Sequence, residues 1–254
     1  MSTAIVKRNM SSIYIREAWY EFLSVLRTPG FSIPTFAFPL IFYTFFGILF
    51  GQSEGGRQAT YLVATYGTFA VMGPALFGFG AGLAAEKDRG WLLLKQVSPM
   101  PTMAYFCAKL AMAMLFATSV VLALFLLASF AGNVNLEGEQ WFRLGFILIV
   151  GTVPFCALGL LIGCWANARS AIGIVNLVYL PMSMLSGLWM PIMIFPEIMQ
   201  KLANLLPSYH LAQLALKVVA MDQGGNSLVH MGILLGQALV FLWFAKKAFF
   251  RTVR

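Results

Sequence analysis

The sequence predicts an all-α membrane protein with six spanning helices, and three observations carry that prediction. First, 60% of the 254 residues are hydrophobic and only 10% are charged, against about 25% charged in ordinary soluble domains. Second, six long stretches hold no Asp, Glu, Lys or Arg, and each exceeds the roughly 20 residues that a crossing helix needs. Third, Lys and Arg are unequally shared between alternate connecting segments. So much apolar surface with so few charges excludes a soluble enzyme, a disordered chain and a nucleic-acid module. The formal charge of +8 then reads as a topology signal and an attraction to anionic lipid heads, with no nucleic acid as partner. Within each stretch hydrophobicity is continuous rather than alternating, which argues against barrel strands.

Residues 12–27 come before the first span and are expected to form an amphipathic interfacial helix. Ile15, Trp19, Phe22, Leu23 and Leu26 recur at helical spacing on one face, while Arg16, Glu17, Glu21, Ser24 and Arg27 occupy the other side. Ser11 or Ser12 can cap its start, and Pro29–Gly30 ends it. Such a helix lies on the inner membrane surface with Trp19 at headgroup level. It serves either as a simple anchor or as a surface docked by a cytoplasmic partner. No short apolar core follows Met1–Asn9, so a signal peptide is not expected.

The charge-free runs cover 28–53, 58–85, 110–136, 144–168, 170–196 and 223–245. They place the spans at roughly 31–50, 61–84, 104–131, 144–165, 171–190 and 228–245. With a cytoplasmic N-terminus, the inner segments hold Lys7, Arg8, Arg16, Arg27, Lys87, Arg89, Lys95, Lys109, Arg169, Lys246, Lys247, Arg251 and Arg254. The outer segments hold only Arg57, Arg143, Lys201 and Lys217, so the split is 13 to 4. By the positive-inside rule both termini face the cytoplasm. The chain shows no fixed-period repeat and no low-complexity tract, and reads as one domain over 1–254.

The span interiors are expected to lack fixed charge, with Lys109 counted to the inner side. An ion-coupled transporter needs an intramembrane ionisable group. Only His230 is available, near the outer end of span six, and it reads better as a hydrogen-bonded interfacial residue than as a proton relay. The chain also lacks the G-x-x-x-x-G-K-[ST] loop that cradles phosphates, so any driven work needs a partner's energy and the chain itself is not expected to be an enzyme. The glycine-rich run at 78–82 sits inside a span and suits close helix packing. G-x-x-x-G pairs at Gly47/Gly51, Gly78/Gly82, Gly159/Gly163 and Gly232/Gly236 let backbones approach, either within the chain or between two copies. Cys107, Cys156 and Cys164 form no C-x-x-C pair, and no disulfide framework or metal site is expected.

The most informative segment joins spans two and three. It runs Glu86–Lys87–Asp88–Arg89–Gly90–Trp91–Leu92–Leu93–Leu94–Lys95–Gln96–Val97–Ser98–Pro99. A mixed-charge knot leads into a short apolar helix stopped by Ser98–Pro99. Three successive leucines beside Trp91 exceed what a simple connector needs and suit a hydrophobic groove on a soluble partner.

This segment resembles the E-R-E-x-G-T-L-E-x-L-x-x-S-P signature of type-2 ATP-binding-cassette (ABC) export permeases. Glu86, Asp88, Gly90, Leu92, Ser98 and Pro99 fall on matching positions, while Trp91 replaces the usual Thr and Leu93 the usual Glu. After span five, Leu185–Ser186–Gly187, Pro191, Pro196 and Leu206–Pro207–Ser208–Tyr209–His210 resemble the family's L-S-G-x-x-x-P…P…N-P-x-x-Y pattern, with Leu206 where Asn is common. The resemblance covers nearly the whole chain.

The resemblance implies a pair of permease subunits, a homodimer being expected, above two copies of an ATPase subunit in the cytoplasmic membrane. That partner would hold ATP and Mg²⁺, and no cofactor would sit in this chain. Region 86–102 would carry the coupling helix seated on the ATPase, through Glu86, Asp88, Arg89, Gly90, Trp91, Leu92, Leu93, Ser98 and Pro99. The helix within 1–30 would steady that contact. Region 191–227 would form short re-entrant helices closing the exit, with Gly187, Pro191, Pro196 and Pro207 at an outer gate. Spans one, two and five face the pathway in relatives, which makes Tyr43, Tyr66, Met72, Asn176, Tyr179, Met182 and Met184 candidate lining residues. An uncharged pathway of Phe, Tyr and Met suits an apolar or amphiphilic cargo: drug-like, lipid-like or a natural product. A non-transporting scaffold or sensor subunit that recruits a cytoplasmic partner is the alternative.

Overall fold

A computed structural model describes residues 10–51, 56–91 and 102–252. Among them every regular element is helical. Six helices are long and apolar enough to cross a membrane: Pro29–Leu49, Arg57–Asp88, Met103–Ala131, Gly138–Trp165, Ala168–Leu185 and Ser227–Phe249, here called spans one to six. A separate helix, Met10–Leu26, precedes them. Two shorter helices, Glu197–Ala203 and Pro207–Val218, lie between spans five and six.

Span two is the axis of the bundle. It packs against spans one, three, four and five and against the Pro207–Val218 helix, and its residues from Leu62 to Leu76 are all buried. Spans one, five and six keep most of their surface uncovered. Phe38, Ile41, Phe45 and Leu49 on span one are exposed, as are Ile172, Leu177 and Leu180 on span five. Those side chains match hydrocarbon or a second subunit, not water.

Two spans contain wide π turns, each shortly after a proline. Span one changes to a π-helix over Tyr43–Leu49 after Pro39, and span two over Phe77–Gly82 after Pro74. A proline removes one backbone donor and pushes on the carbonyl of the preceding turn, and π turns absorb such a mismatch within a helix. The second π turn is also where span four comes closest. A Cβ at Gly159 would lie 2.8 Å from the Ala75 carbonyl oxygen, and one at Gly163 would meet the Phe79 carbonyl oxygen. This pair therefore serves packing within the chain. Gly232 and Gly236 have open space around them and take no part in it.

Span four bends at Gly151, between helical halves Gly138–Val150 and Thr152–Trp165. The bend forms a notch for Leu211 of the Pro207–Val218 helix, which would strike any Cβ at Gly151. Pro154 removes one more donor just beyond it. Span five ends at Leu185 rather than near 190, because Gly187 takes a left-handed backbone (φ 73°) directly after the Ser186 cap. Span two runs past the expected residue 84 to Asp88. Cys156 and Cys164 are buried packing residues, whereas Cys107 is exposed.

Candidate coupling site

The knot Glu86–Lys87–Asp88 is helical, forming the C-terminal end of span two. Consecutive helical residues point about 100° apart, so each of the three meets a different neighbour. The Glu86 carboxylate accepts from Tyr105 Oη (2.6 Å) and pairs with Lys109 Nζ (2.6 Å), both on span three. Lys87 Nζ donates to the carbonyls of Gly163 (3.2 Å), Cys164 (2.9 Å) and Ala166 (2.8 Å), at the end of span four. Those are helix-terminal acceptors that need a donor, and a cation there also meets the negative end of the helix dipole. Asp88 Oδ2 accepts from the Ala168 backbone N–H (2.7 Å) at the start of span five, the mirror-image pairing of anion with helix N-terminus. Asn167 completes that start by accepting from the Ser170 N–H (2.9 Å).

Lys109 corrects the sequence reading. It sits inside the Thr102–Ala131 helix and is only 2% exposed, so a charge does lie within a span. It is held between Glu86 and Glu21, the latter at 3.4 Å from the N-terminal helix. Glu21, expected on the solvated side, is only 13% exposed. The inner face of the N-terminal helix thus carries Glu21 together with Phe22 and Val25, and the last two pack with Phe116 and Val120 of span three. Phe22 meets Phe116 edge-on, while Ile15, Trp19 and Leu26 face outward and are exposed. Lys109, Glu21 and Tyr105 join the knot through these contacts, and the sequence alone did not assign them to it. Helical register held a signal for them: 105 and 109 are one turn apart, four residues being just over a turn.

Beyond the knot, Arg89 caps the helix and Gly90 turns left-handed (φ 73°), a conformation that glycine adopts without steric cost. Trp91 follows and is half exposed, with the Arg89 guanidinium 5.9 Å from its ring centre. Leu92, Leu93, Ser98 and Pro99 lie outside the described residues.

The candidate pathway residues divide into two groups. Tyr43, Tyr66, Met72, Tyr179 and Met182 are buried in the packed interior, whereas Asn176 and Met184 are on the exposed face of span five. Tyr179 stacks on Phe69 with ring centres 4.7 Å apart and donates to the Phe69 carbonyl (3.2 Å), which joins spans two and five. Tyr43 donates to the Ala59 carbonyl (3.3 Å), which joins spans one and two. Trp189 closes this aromatic group against Phe42 and Phe69. Its ring nitrogen is buried without a hydrogen-bond partner, an uncommon state for a buried donor.

At the opposite end, the four residues expected at an outer gate lie in or beside the connections between elements. The Gly187 carbonyl accepts from Tyr61 Oη (3.3 Å) of span two. Pro191 precedes a 3₁₀ turn at Ile192–Ile194, Pro196 begins the Glu197–Ala203 helix, and Pro207 is the first residue of the next. That last helix is buried over Pro207–Leu216. His210 Nε2 meets the Asn204 carbonyl (2.8 Å), and His210 Nδ1 lies 2.8 Å from His230 Nδ1 on span six.

Comparison with known proteins decides the family. The description "ABC-2 type transporter" matches residues 16–219, well over half of the chain. The chain belongs to the ABC-2 type transporter family. It is also 27% identical over 229 residues to the "Putative transport permease YvfS" of Bacillus subtilis (strain 168), covering 89% of this chain and 92% of that protein. The protein is therefore a multi-pass membrane transport subunit whose family implies an ABC ATPase partner. This favours the transporter reading over a non-transporting scaffold.

Proposed function

We propose that this chain is the membrane subunit of an exporter that moves an apolar or amphiphilic molecule across the cytoplasmic membrane, driven by a separate ATPase. ATP and Mg²⁺ are held by that partner. Both termini face the cytoplasm, consistent with the 13-to-4 distribution of Lys and Arg. Two permease copies pair with two ATPase copies. The uncovered apolar faces of spans one and five suit the second permease copy, and Asn176 and Met184 lie on one of them. The N-terminal helix rests on the inner membrane surface through Ile15, Trp19 and Leu26, and the helices after Pro191 re-enter from outside to close the exit.

The observation that carries this reading is the three-way engagement of Glu86, Lys87 and Asp88. A force applied at Trp91 reaches the end of span two, and from there spans three, four and five and the N-terminal helix at once. Such a joint suits a mechanical input from the cytoplasm. The π turn at Phe77–Gly82 lies a short way further along the same span and offers a place for it to flex.

Co-purification of the ATPase with this chain tests the contact. A single interface hot spot is worth about 2 kcal/mol or more, so Trp91→Ala or Leu92→Ala should weaken assembly about 30-fold or more, at about tenfold per 1.4 kcal/mol. Full assembly and full substrate-stimulated hydrolysis in both variants would reduce the segment to a connector.

A further inference from the structure

Spans four and six enclose a groove that the export reading does not use. Its volume is about 500 Å³, and its walls include Phe146 and Val150 of span four and Met231 and Leu235 of span six, all substantially exposed. Leu211 and Leu214 of the buried outer helix form part of its floor. Its two polar boundary residues of like charge are Arg143 and Lys217, both exposed. Both line the groove along with Ser227, where span six begins, and Lys217 reaches the Gly225 carbonyl just before that start.

The dimensions of the groove are those of one membrane leaflet. On span four it extends from Arg143 to Pro154, and on span six from Ser227 to Ala238, eleven steps on each wall. At about 1.5 Å per residue each wall is about 16 Å long, close to half of the roughly 30 Å hydrocarbon core. The cations therefore fall at headgroup level and the apolar walls at acyl-chain depth. A free soluble ligand would not need that match of length and charge.

We propose that this groove binds a single anionic phospholipid, with an acyl chain between spans four and six and its phosphate on Arg143 and Lys217. The guanidinium presents a planar pair of donors to phosphate oxygens. Lys217 already donates to the Gly225 carbonyl (2.6 Å) and retains two further N–H groups. Glu139 is ion-paired with Arg143 and competes with the phosphate for it. The lipid comes from the outer leaflet if the orientation proposed above is correct, but binding itself does not depend on that orientation.

The test is native mass spectrometry of the full chain in detergent, with phosphatidylglycerol and phosphatidylcholine of identical acyl chains. Each cation near an anionic headgroup favours it several-fold, so the wild type should retain phosphatidylglycerol about tenfold more strongly. R143Q/K217Q should bring the two lipids level, while E139Q should raise retention of phosphatidylglycerol. M231W, on an exposed wall position, should reduce both. Thermal unfolding of each variant checks that it is folded. Equal retention of the two lipids by the wild type, or an unchanged preference in R143Q/K217Q, overturns the headgroup contact. Undiminished binding in M231W overturns the groove as the site. None of these outcomes depends on ATP hydrolysis, so they stand apart from any failure of the export reading.

Discussion

The two ends of the bundle are joined by different chemistry. At the inner end, span two is tied to its neighbours by ions: Glu86 to Lys109, Lys87 to the carbonyls ending span four, and Asp88 to the amide beginning span five. At the opposite end, neutral joints predominate, with a Ser186–Ser208 hydroxyl pair, Tyr61 on the Gly187 carbonyl and a histidine pair, alongside one ammonium, Lys217, on the Gly225 carbonyl. Ion pairs with one partner buried are costly to break singly, while neutral hydrogen bonds contribute about 0.5–1.5 kcal/mol each. The end carrying Glu86 is thus held to three neighbouring spans through charged groups. The outer end, divided by Pro191, Pro196 and Pro207, is built from pieces that can separate at modest cost. That contrast suits a transporter driven from one side and opening on the other.

The largest expected effect breaks the inner joint. Glu86→Ala takes the closer counter-ion from the nearly buried Lys109 ammonium, leaving Glu21 at 3.4 Å among the described residues, and removes a carboxylate that accepts from Tyr105. Removing one member of a buried pair costs about 3–5 kcal/mol. Thermal unfolding in detergent should show a large loss, accompanied by poorer expression. The double variant Glu86→Leu/Lys109→Met should recover part of it, because no ammonium is left stranded, and adding Glu21→Gln should recover more, because Glu21 otherwise loses Lys109 as its counter-ion. If Glu86→Ala unfolds like the wild type yet uncouples hydrolysis from transport, Glu86 serves the ATPase contact rather than the joint.

The contrast between the ends also explains what the sequence could and could not reveal. The spans were legible because they are continuous apolar runs, and five of the six inner and outer limits around spans one, three and six fall within two residues of expectation. The short signatures at 86–99 and 185–210 pointed to the family. Lys109 was counted to the inner side although span three was placed at 104–131, because a charge near a span end reads as facing water, whereas it is buried. Only the partners at Glu86 and Glu21, distant in sequence by 23 and 88 residues, allow the helix to continue past it. The π turns were illegible for a related reason: a wide turn leaves no trace in hydrophobicity. Lys87 looked like one member of a charged surface, and only the fold brings the carbonyls of Gly163, Cys164 and Ala166 around its ammonium group.

An intermediate effect concerns Trp189, at the outer part of the aromatic group. A buried indole N–H without a partner costs about 1–3 kcal/mol in lost hydration. Trp189→Phe removes that donor, so stability should change by no more than about 1 kcal/mol despite the smaller ring. Transport should be more sensitive. If the N–H donates to passing cargo, Trp189→Phe should lower substrate-stimulated hydrolysis by up to about tenfold, corresponding to one hydrogen bond. A strongly destabilised variant with normal transport per folded molecule would make Trp189 a packing residue only.

The smallest effect is expected at the histidine pair, and its sign follows from the geometry. His210 Nε2 donates to the Asn204 carbonyl, and its Nδ1 lies 2.8 Å from His230 Nδ1, while the His230 ring also bonds to the Gly224 backbone. Burial holds the His210 pKa below its ordinary 6.5, with the Asn204 carbonyl opposing and His230 adding to the shift. Tyr209 packs on both rings, and Lys217 and Asp222 are the charges that act on His230. Between the lowered folded value and 6.5 the unfolded chain binds more protons, so stability rises with pH through that window and falls on acidification. Moving from pH 7.5 to 5.5 should lower the melting temperature. His210→Gln keeps a donor for Asn204 and cannot titrate, so its acid-induced loss should be smaller than that of the wild type. An equal loss in both would place the acid-sensitive group elsewhere and leave the outer joint insensitive to pH.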